Sequence, residues 1–368
     1  MGPSVTIFLP SLESGGAERA MTNLAHGFVE KGIEVEVVLA HAAGPYLEEL
    51  SGEVRVVKLG AKRVLWSLAP LSRYLKRRAP DVLLTAMDHA SLVGLVARRW
   101  AGVDTRVVVS VHKMMSQPRS LDTVGRREAL IPILARLLYP WADEVVAVSK
   151  AAAADLAART RLASDKIKVI PNPVVTKDVL RLAREKVDHP WLSLGEPLIL
   201  GVGRLSPEKD FATLLRAFSR IQGERQCRLI ILGEGPERGA LGALAAREGL
   251  SGWVDLPGRV ENPYGFMAKA SVFVLPSAWE SFGISLVEAM ACGTPVVATR
   301  CPGGVAEILE DGRYGRLVPV GDDAAMAQAI LDTFDDPTPA EVLRARAMDF
   351  SVERVVDQYL ELLQPARQ

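Results

Sequence analysis

Long apolar stretches are missing from this chain of 368 residues. No run reaches the ~18 residues that a membrane-spanning helix needs. The first residues do not form a basic segment followed by an apolar core, so no signal peptide is expected and the chain is placed in the cytoplasm. Cysteine is scarce: Cys227, Cys292 and Cys301 are the three. An odd, sparse set without metal spacing fits a reducing compartment. Cys227 opens an expected strand and Cys292 ends an expected helix, so both read as buried small hydrophobes. Asp-x-Asp is absent throughout. The Gly-x-Gly-x-x-Gly of a dinucleotide site is absent too: after Gly201-Val202-Gly203, Ser206 stands where the third glycine would be. That counts against a dinucleotide-dependent oxidoreductase. No short repeat or low-complexity segment occurs, and no nucleic-acid partner is expected.

What is present suits a globular α/β protein. Hydrophobic residues make up 49% and charged residues 24%, and the length exceeds one ordinary core, so two domains of ~150–200 residues are expected. Net charge is zero but unevenly placed. Through Leu180 there are 24 Lys and Arg against 18 Asp and Glu, and the remainder has 20 against 26. A basic first half suggests an anionic partner, either a phosphorylated acceptor or a membrane surface; an uneven spread of solvated charge is the plainer alternative.

Residues 5–9, 33–40, 54–57, 82–86, 106–111, 144–148 and 168–170 read as strands. Residues 17–30, 68–78, 90–100, 126–139 and 150–160 read as helices between them. This is a complete doubly wound α/β domain over residues 1–170. Pro171-Asn172-Pro173 breaks the rhythm, and 171–190 reads as a linker with a short helix. A second series follows over 191–350. Its strands are expected at 197–202, 228–232, 254–256, 272–275, 296–298 and 315–318. Its helices are expected at 211–221, 237–248, 263–268, 284–291, 305–309 and 323–333. One more apolar-faced helix, 352–363, comes after the second domain is finished.

Two glycine corners follow first strands. Ser14-Gly15-Gly16 lets bare backbone N–H groups approach an anion at a helix start. Gly201-Val202-Gly203 alone is equally a tight turn, but Arg204 and Lys209 follow it. Two cations beside a helix start suit a diphosphate, Arg gripping two oxygens and Lys acting as a point charge. Two carboxylates, Glu280 and Glu288, flank what reads as another helix mouth at Phe282-Gly283. Acids beside a phosphate are repelled, so both are expected to face hydroxyls: Glu288 a ribose diol, Glu280 a sugar. The backbone at Phe282, Gly283 and Ile284 aims N–H groups at the phosphate between them.

Glu280-Ser281-Phe282-Gly283-Ile284-Ser285-Leu286-Val287-Glu288 resembles the Glu-x7-Glu motif of the retaining glycosyltransferases of family 4, which have the GT-B fold. Supporting matches run along the chain: Gly15-Gly16-Ala17-Glu18-Arg19, Pro171-Asn172-Pro173, Gly201 to Lys209, Leu232-Gly233-Glu234-Gly235, Pro257-Gly258-Arg259-Val260, Ala291 to Val297, and Gly303-Gly304-Val305-Ala306-Glu307. The resemblance implies two Rossmann-like domains facing a central cleft, with helix 351–364 crossing back to the first. It implies a UDP-sugar as substrate and no resident cofactor. Arg204 and Lys209 would neutralise the diphosphate, and Glu288 would bind the ribose. Glu280 would meet the donor sugar, and Arg259-Val260 would border the base. Gly203, Glu234 and Ser281 join the donor side, and Gly15 and Gly16 would approach the phosphates. His112, directly after a strand, resembles the histidine that touches donor sugar or phosphate in many relatives.

With no Asp-x-Asp, Arg204, Lys209 and helix N-termini stand in for a metal, and none is expected. Retention of configuration is implied by the resemblance alone. Gly15 to Arg19, Asn262-Pro263-Tyr264 and Met267-Ala268-Lys269 look like the subgroup that extends glycans on polyprenyl diphosphate. Asp88, His89 and Arg77 are placed on the acceptor side. A soluble small-molecule acceptor, a sugar-nucleotide epimerase of the same fold and a binding-only module are the other readings; the intact Arg204, Lys209, Glu280 and Glu288 count against the last. Residues 64–78 are either a membrane-surface helix, placing the protein on the inner face of the plasma membrane, or an amphipathic helix packed on its own sheet.

Overall fold

The computed structural model describes residues 3–13, 15–50, 52–117 and 130–363. The chain divides into two compact units, Met1–Pro173 with Val352–Gln368, and Val174–Ser351.

The first unit is built on seven strands: β1 (Val5–Leu9), β2 (Val35–Leu39), β3 (Arg55–Lys58), β4 (Val82–Ala86), β5 (Arg106–Val111), β6 (Glu144–Ala147) and β7 (Ile167–Val169). They pair in the order β3-β2-β1-β4-β5-β6-β7, every pair parallel. β1, β2 and β4 are buried along their whole length. Such unbroken apolar runs are what a parallel sheet covered on both faces requires. Its helices are α1 (Gly16–Glu30), α2 (Tyr46–Glu49), α3 (Leu68–Arg78), α4 (Asp88–Ala101), α5 (Ile131–Leu138) and α6 (Lys150–Thr160). The expected helix 126–139 survives as α5 and a short turn, Tyr139–Trp141; its residues 126–129 lie outside the described ones, as does Ser14 of the first glycine corner.

Residues 64–78 are two pieces, a 3₁₀ turn at Val64–Ser67 and then α3. α3 buries Leu71, Tyr74 and Leu75. Its Tyr74 hydroxyl hydrogen-bonds to the buried Glu36 of β2 and lies 2.9 Å from Thr6. Arg78 pairs with Glu36 at 2.6 Å, so the buried carboxylate is matched by a cation and a hydroxyl. Burial, then Glu36, push the Tyr74 phenol well above its ordinary range. Of the two readings of 64–78, α3 is therefore the helix packed on its own sheet.

The second unit opens with α7 (Lys177–Leu182), inside the stretch read as linker. That helix belongs to this unit: it packs on α10 and α11 described below, and the Asn262 side chain donates to Leu182 O at 2.9 Å. The six strands are β8 (Leu198–Val202), β9 (Arg228–Leu232), β10 (Val254–Gly258), β11 (Val272–Leu275), β12 (Val296–Thr299) and β13 (Arg316–Val318). Their order is β10-β9-β8-β11-β12-β13, again all parallel. Around them lie α8 (Phe211–Ile221), α9 (Arg238–Arg247), α10 (Pro263–Lys269), α11 (Ile284–Cys292), α12 (Val305–Ile308), α13 (Asp323–Asp335) and α14 (Ala340–Ala347). α8 presses Phe211, Leu214, Leu215 and Phe218 into the core with Met326 and Ile330 of α13.

The last helix, α15 (Val352–Leu363), returns to the first unit and lies on α1. The approach is close: a side chain at Gly27 would meet Val356 at 2.5 Å. Phe28 and Tyr359 meet edge to face at 6.4 Å, and Lys31 pairs with Asp357 at 2.7 Å. Among the described residues, no helix is long and apolar enough to cross a membrane.

In each unit the strand order reverses once, between β1 and β4 and between β8 and β11. In open α/β sheets ligands gather outside the carboxyl ends of the strands at that reversal.

Candidate active site

The carboxyl ends of β8 and β11 hold the second unit's site. The loop after β8 carries Gly203, Arg204 and Lys209, and the loop after β11 carries Ser277 to Gly283. Across the reversal the Lys209 ammonium pairs with the Glu280 carboxylate. Their side chains are only 19% and 12% exposed, so the pair is shielded yet reachable. Ser277 Oγ donates to the same Glu280 oxygen at 2.9 Å. The backbone of Glu280 is clamped as well. Its N–H donates to Pro302 O at 3.0 Å, and Gly304 N–H donates to its carbonyl at 3.3 Å. Gly303 between them has φ +125°, and a Cβ there would lie 1.3 Å from the Glu280 carbonyl oxygen. Only glycine fits this turn. Burial, then the Glu280 charge, raise the nearby Cys301 thiol to about 11, so it stays protonated and unreactive at neutral pH.

The two expected helix mouths differ. Gly283 opens α11 and, having no side chain, does not cap it, so the positive end of this helix is not closed by an N-cap carboxylate or hydroxyl. α8, by contrast, is capped by its own chain. Asp210 accepts from Thr213 N at 3.2 Å and from Thr213 Oγ1 at 2.6 Å. The helix start expected to help at the second glycine corner is thus occupied by a carboxylate, and the open one is that of α11.

Glu288 sits in the second turn of α11, half-buried, where its carboxylate accepts the Tyr264 hydroxyl of α10 at 3.1 Å. Arg204 is exposed and makes no ion pair among the described residues. Glu234 is exposed too, and its side chain is engaged by Arg238 at 2.8 Å. Arg259 is exposed and Val260 half-buried just past β10, and Ser281, Phe282 and Ile284 line the approach to α11. All lie at the carboxyl end of one sheet. Side-chain contact joins Lys209, Glu280 and Ser277 in one group and Glu288 with Tyr264 in another.

The first unit's rim is of another kind. Gly15 and Gly16 open α1, again without a side-chain cap. The Glu18 carboxylate folds over Gly15, where a Cβ would meet it at 2.1 Å. Its burial raises its pKa, and Glu13 adds to the rise. An anion drawn to these N–H groups meets that carboxyl first, a feature the sequence reading did not foresee. After β4, Met87 adopts φ +73°, a conformation costly for a side-chain-bearing residue. It turns the chain into α4, whose first residues are the half-buried Asp88 and the exposed His89. Arg77 is exposed near the end of α3.

His112 follows β5, next to β4. Its Nε2 is 3.0 Å from Ser110 Oγ, which in turn is 3.0 Å from the buried Tyr359 hydroxyl of α15. Burial pulls the His112 pKa down to about 4, against a weaker opposite pull from Asn172. The imidazole is therefore neutral at physiological pH. His112 Nδ1 and Asn172 Oδ1 are both buried without a close hydrogen-bond partner among the described residues. Unmet polar atoms of this kind are uncommon and belong beside a ligand or ordered water. Ser110, Tyr359, Asn172, Ser277 and Tyr264 all escaped the sequence reading as site residues. Asn172 carried the best signal, a polar side chain wedged between two prolines.

Comparison with known proteins bears on the family and the fold. Residues 14–178 match the family model for Glycosyltransferase Family 4, and residues 196–336 match the model for Glycosyl transferases group 1. The chain is 29% identical over 346 residues to the N-acetylgalactosamine-N,N'-diacetylbacillosaminyl-diphospho-undecaprenol 4-alpha-N-acetylgalactosaminyltransferase of Campylobacter jejuni, covering 90% of each chain. It is 28% identical over 361 residues to the lipopolysaccharide core biosynthesis glycosyltransferase LpsE of Rhizobium meliloti, covering 95% of this chain and 96% of that one. Among solved structures, Anabaena HepE in complex with UDP superposes with a TM-score of 0.79 at 24% identity, over 98% of this chain and 99% of that one. The sucrose-phosphate synthase of Thermosynechococcus elongatus gives 0.80 at 22% identity, over 98% of each. The fold is that of the GT-B glycosyltransferases. The chain belongs to glycosyltransferase family 4, and its activity is glycosyl transfer.

Proposed function

We propose that the protein is a retaining, metal-independent transferase that moves a hexose or N-acetylhexosamine from a UDP-sugar to a glycan carried on polyprenyl diphosphate. The observation that carries this reading is the shielded Lys209–Glu280 pair beside the uncapped start of α11. A nucleoside diphosphate sugar needs a cation and N–H groups at its phosphates and a hydroxyl acceptor at its sugar. These lie side by side here.

In the reaction, the bond between the anomeric carbon and the diphosphate oxygen breaks, and its electron pair leaves with the nucleoside diphosphate. Lys209, Arg204 and the α11 N–H groups meet the negative charge that develops there. As Lys209 turns to the diphosphate, Glu280 is released to accept hydroxyls of the sugar, which is gaining positive charge. The acceptor oxygen attacks from the face the diphosphate leaves, and its proton passes to the departing phosphate oxygen. Glu288, steadied by Tyr264, holds the ribose, remote from the reacting bond. Neutral His112, with Asn172, offers hydrogen bonds to uncharged groups of donor or acceptor.

UDP as the nucleotide is supported by the UDP bound to HepE. The lipid diphosphate acceptor is supported by the diphospho-undecaprenol substrate named for the Campylobacter relative. The test is turnover of a panel of UDP-sugars with a polyprenyl-diphosphate-linked glycan, with and without chelator. The expected products are UDP and an extended glycan with the donor's anomeric configuration, formed at the same rate with chelator present. Turnover lost to chelator and restored by Mg²⁺ or Mn²⁺ would remove metal independence. Inverted product would remove the same-face route, and transfer only to soluble acceptors would remove the lipid carrier.

A further inference from the structure

α5 is apolar on two sides. Ile131 and Ala135 face inward and are buried. Leu130, Ile133, Leu134, Leu137 and, past the helix end, Trp141 face outward, with Ile133 56% and Leu137 62% exposed. These positions recur every three to four residues, which is one face of a helix. Trp100, at the end of α4, is 63% exposed. α4 packs against both α5 and the Tyr139–Trp141 turn, and Arg99 stacks on the Trp141 ring at 5.2 Å. The outward apolar residues therefore belong to one layer. A contiguous exposed patch of this kind marks a surface that something covers.

Charge identifies what covers it. Residues 54–80 carry eight Lys and Arg and no Asp or Glu. Arg98 and Arg99 are the charged residues of 89–103, Arg98 being paired with Asp143 at 3.6 Å, and Arg136 is the one of 130–142. Leucine and isoleucine with tryptophan among cations, and no acid in these three segments, suits an interface that is apolar in its depth and anionic at its surface. A second copy of the chain fits less well. A two-fold contact places each patch on itself, and Arg99 and Arg136 would face like charges with no acid from these segments between them.

We propose that the outward face of α5, with Trp100 and Trp141, is a docking surface for an anionic lipid bilayer. The apolar side chains enter the headgroup boundary, and Arg99 and Arg136 meet lipid phosphates. The stretch 64–78, singled out from sequence for this role, contributes at most its exposed turn Leu65–Trp66, since the apolar side of α3 is packed inside. The assignment is independent of the donor and acceptor.

Flotation with vesicles of phosphatidylcholine, with and without phosphatidylglycerol, tests it. The unmodified protein should float with the anionic vesicles, and about tenfold less with phosphatidylcholine alone or at high salt. Ile133→Ser with Leu137→Ser should weaken flotation by about tenfold or more. Release of UDP from a UDP-sugar in solution should be unchanged in that variant, since neither residue lies at the candidate site. Should the double variant misfold, brominated lipid offers a second readout on the unmodified chain: it should quench tryptophan fluorescence, and less so in Trp141→Phe. The proposal fails if the unmodified protein ignores anionic vesicles, or if the folded double variant floats as well as its parent. It fails equally if light scattering finds a dimer that the double variant turns into a monomer while vesicles bind neither.

Discussion

At the carboxyl ends of β8 and β11, a cation and a carboxylate face each other across the sheet's reversal, with an exposed arginine and an open helix start nearby. At the carboxyl ends of β4 and β5 in the other unit, the buried polar groups are a neutral imidazole, two hydroxyls and an amide, with Asp88 and His89 nearer the surface at the start of α4. The two sheets share one strand order, so the difference is not topological. It comes from the loops: those after β8 and β11 bring Lys209 and Glu280 together, while burial keeps His112 after β5 neutral beside the charged Lys113. A shielded ion pair that can be exchanged with a ligand sits at the second rim, and a buried chain of hydrogen bonds at the first. A reaction that separates charge between a diphosphate and a sugar has use for both.

Lys209→Met should give the largest effect. It leaves Glu280 without its cation and the diphosphate without its point charge, and kcat/KM should fall by roughly 10²–10³-fold. Lys209→Met with Glu280→Gln should then lose far less than the product of the single losses, because the pair acts as one unit. Additive losses would show two independent charges.

Glu280→Gln and Glu288→Gln separate the two acids. The first should lower kcat by about 10²-fold with little change in KM, because Glu280 meets the sugar that gains charge. The second should raise the donor KM by about tenfold at nearly constant kcat, because the ribose is bound equally before and during reaction. Losses of KM alone in both variants would erase the distinction.

Tyr359→Phe probes the neutral rim. Tyr359 is a positioning residue: it holds Ser110, and Ser110 holds His112. Loss of one hydroxyl should lower kcat by about three- to tenfold. It should also move the His112 imidazole signals in an NMR pH titration, which an effect on packing alone would leave in place.

The smallest effect is on stability. The His112 pKa is about 4 in the folded chain against an ordinary 6.5. The unfolded chain therefore takes up this proton at a higher pH than the folded one. His112 supports folding fully above pH ~6.5, and that support declines as pH falls toward ~4, by on the order of 1–3 kcal/mol. Thermal melts of the parent should show this decline, and His112→Gln should flatten it. An unchanged slope would mean the ring titrates normally.

Much of this was legible in the sequence. Val82–Ala86, Arg106–Val111, Arg228–Leu232 and Val272–Leu275 are strands at the residues expected, because an unbroken apolar run between turn signals has few other uses in a parallel sheet. α3, α6, α8 and α15 also run from and to the residues expected. The short helix expected within 171–190 is α7 (Lys177–Leu182); that it packs on α10 and α11 depends on contacts from distant sequence, which the line of residues does not display. α14 was missed because its alanines and arginines carry little periodicity, and only Leu343 and Ala347 are buried.

The sequence by itself determined the two doubly wound sheets, the extent of the last helix and the ordered set of glycines, cations and carboxylates; the return of that helix to the first unit was implied by the family resemblance alone. Apolar periodicity and turn residues are local properties, so they can be read in a line. Only the tertiary structure decided which charges pair and which helix starts stay open. Lys209 finds Glu280 across 71 positions of sequence, and Asp210 closes α8 while Gly283 leaves α11 bare. Tyr359 reaches Ser110 across 249 positions. Pairing and burial depend on distances that folding sets, and so do the proton on His112 and the outward face of α5.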